Sequence, residues 1–221
     1  KKKKHTVVGV EPALEISARA NSEDIRTYPN FFDIDLAKRM VSEVGKADLI
    51  TVNNLFANID DLHLFMQAVE ILLSYRGVLV IESSYLYKMI NNMVFDFIYH
   101  EHLSYLSATP LDEFVKRFGL HLIHIQDAPT KGGSMRYYFS RTGSEWNVNA
   151  SVKKTIAKEL PREHLLLAFQ QYSQDIKGKK KKIRNYLKEF DGKKIVGYGA
   201  SATSTTLISY FSLDEYLDYL V

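Results

Sequence analysis

The chain has 221 residues, 46% of them hydrophobic and 25% charged, a balance that suits a globular protein able to bury a core. A formal net charge of +3 is too small to argue for a nucleic-acid partner. With no cysteine there is no disulfide framework or thiolate metal site, and no signal-peptide pattern opens the chain. No apolar run approaches the ~20 residues of a membrane span, so the expected compartment is the cytoplasm. The basic excess is local, in "KKKKH" at the start and "KGKKKKIR" at 177–184. The second run has a helical, solvent-facing pattern and reads as a solvated face or a phosphate-binding patch.

In chain order, "HTVVGVEP" (5–12) is a short β-branched run that suits a buried strand and its terminal turn. "ALEISARA" (13–20) predicts a short helix, and "IDLAKRMVSEVG" (34–45) a longer one with glycine at its stop. "ADLITVNN" (47–54) is a second apolar strand ending in polar residues. "LHLFMQAVEILLSYRG" (62–77) predicts an amphipathic helix stopped by Gly77, and "VLVIESS" (78–84) a third strand. Strands alternating with helices imply βαβ crossovers, a parallel sheet and a doubly wound α/β architecture.

"TPLDEFVKRFG" (109–119) opens on Thr-x-x-Asp, close to a capping box, and closes on Gly119. "LHLIHIQDA" (120–128) and "GSMRYYFSRTG" (133–143) alternate like strands and are expected to pair as antiparallel additions to the sheet. From 151 to 190 the pattern is helical and polar. "KKIVGYGASATSTTLISYF" (193–211) restarts a strand, glycine turn and helix, and "LDYLV" begins another strand. Both termini read as cut, with an interior-type strand at each end, so the chain is expected to be part of a longer protein.

Ligands of open α/β sheets bind beyond the carboxyl ends of the strands. Three such ends carry polar groups: Glu11 with Pro12, Asn53–Asn54, and Glu82–Ser83–Ser84. An acid at Glu11's place can accept hydrogen bonds from both ribose hydroxyls of a nucleoside, or simply mark a turn. Asn53 and Asn54 can hold amino-acid or adenine groups of a ligand, or cap the next turn.

The densest chemistry lies in "FDFIYHEHLSY" (95–105), where Tyr99, His100, Glu101 and His102 stand together in an apolar frame. In extended conformation His100 and His102 would face one way, and Tyr99 and Glu101 the other. His-x-His can hold a metal, but spacing supplies no third ligand, so no metal site is expected. Mutual hydrogen bonding under a loop is the structural alternative. General acid–base work suits a histidine oriented by a carboxylate.

"GYGASATST" (197–205) is a strand-to-helix glycine turn whose amides suit an anion such as a pyrophosphate. Gly197, Gly199 and Ala202 approximate a dinucleotide fingerprint, so an NAD site is the natural rival reading. "PTKGGSMR" (129–136) reads either as a loop that brings Arg136 toward the site or as a plain hairpin connection.

The segments "VGVEP", "ADLITVNNLFANIDDL", "GVLVIESSYL", "FDFIYHEHLSY", "PTKGGSMRYY" and "IVGYGASATSTTLISYF" resemble, in order and spacing, the sugar C-methyltransferases. These S-adenosylmethionine-dependent enzymes methylate a carbon of a nucleotide-linked deoxy-4-keto sugar. The resemblance covers essentially the whole chain, and its Tyr-His-Glu-His segment is the most specific part. It implies a Rossmann-like, doubly wound methyltransferase sheet over 1–146, without its first strand and glycine loop. A helical connector over 147–190 would follow, then the start of a C-terminal Rossmann-like nucleotide-sugar-binding domain over 191–221. The zinc-binding module of such relatives would be absent here.

By similarity His102 would be the base that removes the proton beside the ketone, with Tyr99 and Glu101 in the substrate pocket. Glu11, Pro12, Asn53 and Asn54 would hold S-adenosylmethionine, and Asn58, Arg136, Tyr198 and Ser201 would face the nucleotide-linked keto sugar. Three positions depart from the relatives' pattern: Asn58 and Lys131 stand where they often carry histidine, and Thr203 where they often carry lysine. Asparagine cannot exchange a proton near neutral pH, so only hydrogen bonding remains at 58. The competing readings are a nucleotide-sugar-binding protein without catalysis and an NAD-linked sugar oxidoreductase.

Overall fold

A computed structural model describes residues 5–221; the lysines that open the first basic run lie outside the described residues. β1 (Gly9–Val10) pairs in parallel with β2 (Thr27–Tyr28), and helix α1 (Leu14–Ser22) connects them. The strand expected over 5–12 is therefore paired only at its centre, and β2 is too short to show any alternation in sequence. Side chains fix it instead. The Tyr28 hydroxyl donates to Glu43 at 2.7 Å, while Arg26 and Arg39 lie over its ring at 5.1 and 5.2 Å.

α2 (Ile34–Val44) starts on Asp33, whose carboxylate accepts from the Leu36 amide at 2.8 Å, and ends before Gly45. β3 (Ala47–Asn53) leads through a 3-10 turn, Phe56–Asn58, into α3 (Leu62–Leu72). β4 (Leu73–Ser84) then pairs with β3 in parallel. The helix expected over 62–77 thus stops at Leu72, and Gly77 is not its terminator. β4 is irregular against β3 between Leu73 and Val78, and a Cβ on Gly77 would lie 2.8 Å from the Ala47 carbonyl oxygen. Glycine serves close strand approach there, not a helix end.

After α4 (Leu86–Asn91) and α5 (Ala108–Lys116), β5 (Leu120–Ala128) and β6 (Ser134–Arg141) add antiparallel strands, as their alternation predicts. β6 inserts between β4 and β5, giving the order β3-β4-β6-β5. The capping box expected at Thr109 and Asp112 does not form. Ser107 occupies the N-cap without a side-chain bond, and the Thr109 amide (2.9 Å) and hydroxyl (2.6 Å) both donate to Glu159. Asp112 instead accepts from the Leu122 amide at 3.1 Å.

The helical stretch divides at Pro161 into α6 (Ala150–Ile156) and α7 (Arg162–Lys188). β7 (Val196–Gly197), α8 (Ala202–Phe211) and β8 (Tyr219–Leu220) complete the α/β fold, with β7 and β8 parallel. The main core joins the four-stranded sheet to α3, α5 and α6 around Phe56, Leu79, Ile81, Tyr137 and Phe139. A second packs β2 and α2 on α3 through Tyr28, Leu36 and Met40. A third holds α7 and α8 to the segment after α4 through Tyr172, Ile176, Phe211 and Phe95.

The basic run at 177–184 has a use that its pattern does not announce. Lys180 donates to the Tyr210 carbonyl at 2.7 Å, and Arg184 to those of Phe211 and Ser212 at 3.2 and 2.6 Å. Two cations one turn apart on α7 thereby satisfy the carboxyl end of α8. No helix among the described residues is long and apolar enough to cross a membrane.

Candidate functional site

A cleft opens where β3 and β4 end. Its walls are Asn54, Ala57 and Asn58 from the segment after β3, and Ser83 and Ser84 from the end of β4. His102, Ser104 and Tyr105 close the third side, with Met89 and Lys131 at the margin. Backbone bonds hold these pieces together. The Asn54 amide donates to the Glu82 carbonyl at 2.8 Å, from a residue whose φ is 53°. The Ala57 carbonyl accepts from both Leu103 (2.8 Å) and Ser104 (3.1 Å), which pins the histidine segment to the turn that carries Asn58. The Tyr85 amide, just beyond Ser84, donates to Gly133 at 3.1 Å. A Cβ on Gly133 would lie 2.6 Å from Lys88 Cδ, and its φ is 126°, so the loop can approach α4 only as glycine.

The Tyr-His-Glu-His segment is a turn, not the extended strand that would alternate its side chains. The His102 amide donates to the Tyr99 carbonyl at 3.0 Å, so residues three apart meet while His100 and Glu101 stand exposed at the tip. The Tyr99 and His102 ring centroids lie 4.3 Å apart, and the Phe97 ring is parallel to the imidazole within 4° at 5.9 Å. His102 Nδ1 lies 2.7 Å from the Phe97 carbonyl oxygen. A carbonyl only accepts, so Nδ1 carries a proton, and in the neutral ring the lone pair is on Nε2. Burial, then Glu101 and Asp96, holds the Tyr99 phenol above its ordinary pKa.

The remaining expected site residues are dispersed. Glu11 Oε1 accepts from the Ala13 amide at 2.8 Å, the turn arrangement, and its other oxygen is not drawn into that bond. Pro12 and Asn53 are exposed at strand ends. Arg136 stands directly across the sheet from Glu82 and donates to its carboxylate at 2.5 Å. Thr130 donates to the same carboxylate at 3.1 Å, and Glu82 itself is buried. The loop expected to carry Arg136 to the site delivers Lys131 to the cleft instead. Tyr198 is 96% exposed, and Ser201 caps α8, accepting from the Ser204 amide at 3.2 Å. Asn58 Oδ1 is enclosed without a hydrogen-bond partner.

Tyr105 also lines the cleft, and the signal for it in the sequence is its place three residues after His102 at the end of the same aromatic segment. A wider depression at the other ends of β3 and β4 is lined by Lys46, Glu70, Ile71, Tyr75 and Arg141. Arg141 there is committed to the Glu70 and Leu73 carbonyls at the end of α3. Among the described residues no group of three or more His, Cys, Asp or Glu is placed to hold a metal ion.

Residues 1–125 match the family described as a methyltransferase domain, and residues 129–221 the C-methyltransferase C-terminal domain. The first of these matches spans more than half of the chain, which therefore belongs to the methyltransferase-domain family. It is 28% identical over 209 residues to the C-methyltransferase NovU of Streptomyces niveus, covering 92% of this chain and 49% of that protein. The chain therefore spans about half the length of the curated relative it matches. It is also similar to the solved structure of a SAM-dependent methyltransferase from Anabaena variabilis, with a TM-score of 0.47 and 17% identity over 62% of this chain and 68% of that one. A second similar structure is the N-methyltransferase NodS of Bradyrhizobium japonicum, with a TM-score of 0.41 and 12% identity over 61% and 72% of the two chains.

Proposed function

We propose that this protein methylates a carbon next to the ketone of a nucleotide-linked deoxy-4-keto sugar, with His102 as the general base. The single observation that carries the reading is the bond from His102 Nδ1 to the Phe97 carbonyl, 2.7 Å long. It leaves Nε2 as the acceptor on a residue that lines the cleft. A carbon acid beside a ketone needs such a base, neutral at working pH and held still by its other nitrogen. The Tyr99 ring against the imidazole limits its rotation. Glu101, exposed at the turn tip, takes the role of a charge near the base rather than a contact with it.

The polar groups at the strand ends fit S-adenosylmethionine by their chemistry. Glu11 retains a carboxylate oxygen for ribose hydroxyls, and the exposed Asn53 and the cleft-lining Asn54 offer amides for polar groups of the nucleoside or its amino-acid tail. Pro12 shapes the turn between Glu11 and α1. When bound, the cofactor supplies an electrophilic methyl group on a sulfonium. On the sugar side, Asn58 supplies an amide, and Tyr198 and Ser201 at the glycine turn face the nucleotide. Arg136 enters this scheme through Glu82, keeping the end of β4 in register beneath Ser83 and Ser84.

His102→Asn tests the assignment. Turnover should fall roughly 10²–10⁴-fold, the usual contribution of a positioned general base. Affinity for S-adenosylmethionine, read by calorimetry, should stay near that of the wild type. Unaltered turnover in this variant would remove His102 from the base role.

A further inference from the structure

Deprotonation beside a ketone leaves negative charge on the ketone oxygen, and that oxygen needs a hydrogen-bond donor close to the base. The resemblance points to Tyr99 as the tyrosine of the pocket, yet Tyr99 lies against His102, with centroids 4.3 Å apart and planes tilted by 35°, and is not among the residues that line the cleft. Tyr105 does line it, beside His102, Ser83, Ser84 and Asn58. Its ring stands edge-on to the imidazole, at 86° and 6.5 Å between centroids. Both residues flank the backbone that the Ala57 carbonyl clamps at Leu103 and Ser104, so base and phenol are carried by one anchored segment.

We infer that the Tyr105 hydroxyl donates a hydrogen bond to the ketone oxygen of the substrate and stabilises the enolate formed there. The inference rests on the proposed C-methylation and names the residue that serves its reacting oxygen. In this step the carbon–hydrogen bond breaks and its proton passes to His102 Nε2. The electron pair left on carbon delocalises to the ketone oxygen, which takes the negative charge. Tyr105 keeps its own proton throughout. The phenol suits that role because burial, and after it Tyr99, hold its pKa above the ordinary value. It is therefore a neutral donor wherever imidazole is a neutral base. Its acidity also lies nearer to that of an enol than a serine hydroxyl's does, so it offers a stronger bond than Ser83, Ser84 or Ser104. Two further donors that line the cleft, Asn58 and Lys131, stand on other segments than His102.

Tyr105→Phe removes one oxygen and tests the inference without the methyl donor. The measurement is exchange of the α-proton into deuterated water, followed by proton NMR on a nucleoside-diphosphate-linked 4-keto-6-deoxyhexose as probe. The exchange rate should fall about 10²–10³-fold, the loss expected from removing one oxyanion donor, with KM for the probe changed less than about threefold. 3-Fluorotyrosine at position 105, a more acidic donor of nearly the same shape, should raise the rate above that of the wild type. If Tyr105→Phe misfolds, a rate that does not respond to the fluorinated residue overturns the inference. So does an exchange rate in Tyr105→Phe within about threefold of wild type while His102→Asn abolishes exchange, and that result leaves the proposed function standing. Equal exchange in wild type and His102→Asn would instead overturn the proposed function.

Discussion

Arg136 and Glu82 show how one residue's role changes once its neighbour is known. In sequence Arg136 is a cation in a glycine-containing loop, free to reach a substrate. In the structure it faces Glu82 across the β4–β6 pairing and donates to a carboxylate that is almost wholly enclosed. A buried carboxylate without a partner is costly, and the half-exposed guanidinium moderates that cost by staying partly in water. Arg136→Met should therefore lower unfolding stability by about 1–3 kcal/mol, read as a shift of the denaturant midpoint. A variant with unchanged stability and a raised KM would return Arg136 to the substrate. His102 makes the opposite case. Its proposed role came from the resemblance, since the motif alone does not separate it from His100, and the choice of nitrogen needed the Phe97 carbonyl, which the turn brings within 2.7 Å.

At the scale of elements, the histidine turn is anchored away from the cleft. Phe95 stacks on Phe211 of α8, with ring centroids 4.8 Å apart and 18° between planes, and Tyr172 of α7 closes the same cluster. Burial, followed by Asp96 and Tyr105, pushes the Tyr172 phenol up to about 12, a sign of how closely α7 sits against this segment. Phe211→Ala should cost about 3–5 kcal/mol, as deletion of a fully buried aromatic does. Amide hydrogen exchange in residues 95–103 should rise with it; protection unchanged there would show that α8 does not hold the turn. Elements with a full period were legible beforehand: β3, the β5–β6 pair and α2 with Gly45 behind it. Those without one were not. β2 has two residues and is held by the contacts of Tyr28, and the border of α3 and β4 was misplaced because Gly77 looks like a helix stop. The Tyr99–His102 turn, likewise, depends on one backbone bond that no side-chain pattern announces. The strand ends that form the cleft were legible for the same reason as the strands, whereas Tyr105 was not, because its place in the cleft depends on the backbone bonds from Leu103 and Ser104 to Ala57.

Across the whole molecule, the cleft gathers the ends of two parallel strands, a histidine turn and a glycine loop. The cleft takes its shape from the main core, and its third wall is braced by α7 and α8. Glu159, between α6 and α7, adds a brace of its own. Its carboxylate accepts from the Ala108 amide at 2.6 Å, from Thr109, and from the Tyr85 hydroxyl at 3.0 Å. The residues proposed as base, donor and cofactor contacts thus sit on elements that packing holds in place, as the proposed enolate chemistry requires. The central claim is that a methyl group reaches carbon beside a ketone. It is tested most directly by incubating the protein with S-adenosylmethionine carrying a ¹³C-methyl group and the nucleoside-diphosphate-linked 4-keto-6-deoxyhexose, then recording carbon–proton correlation NMR of the product. The account predicts a new methyl resonance coupled to the ring carbon adjacent to the ketone, absent with His102→Asn. A methyl on oxygen, or transfer that survives His102→Asn undiminished, would contradict it.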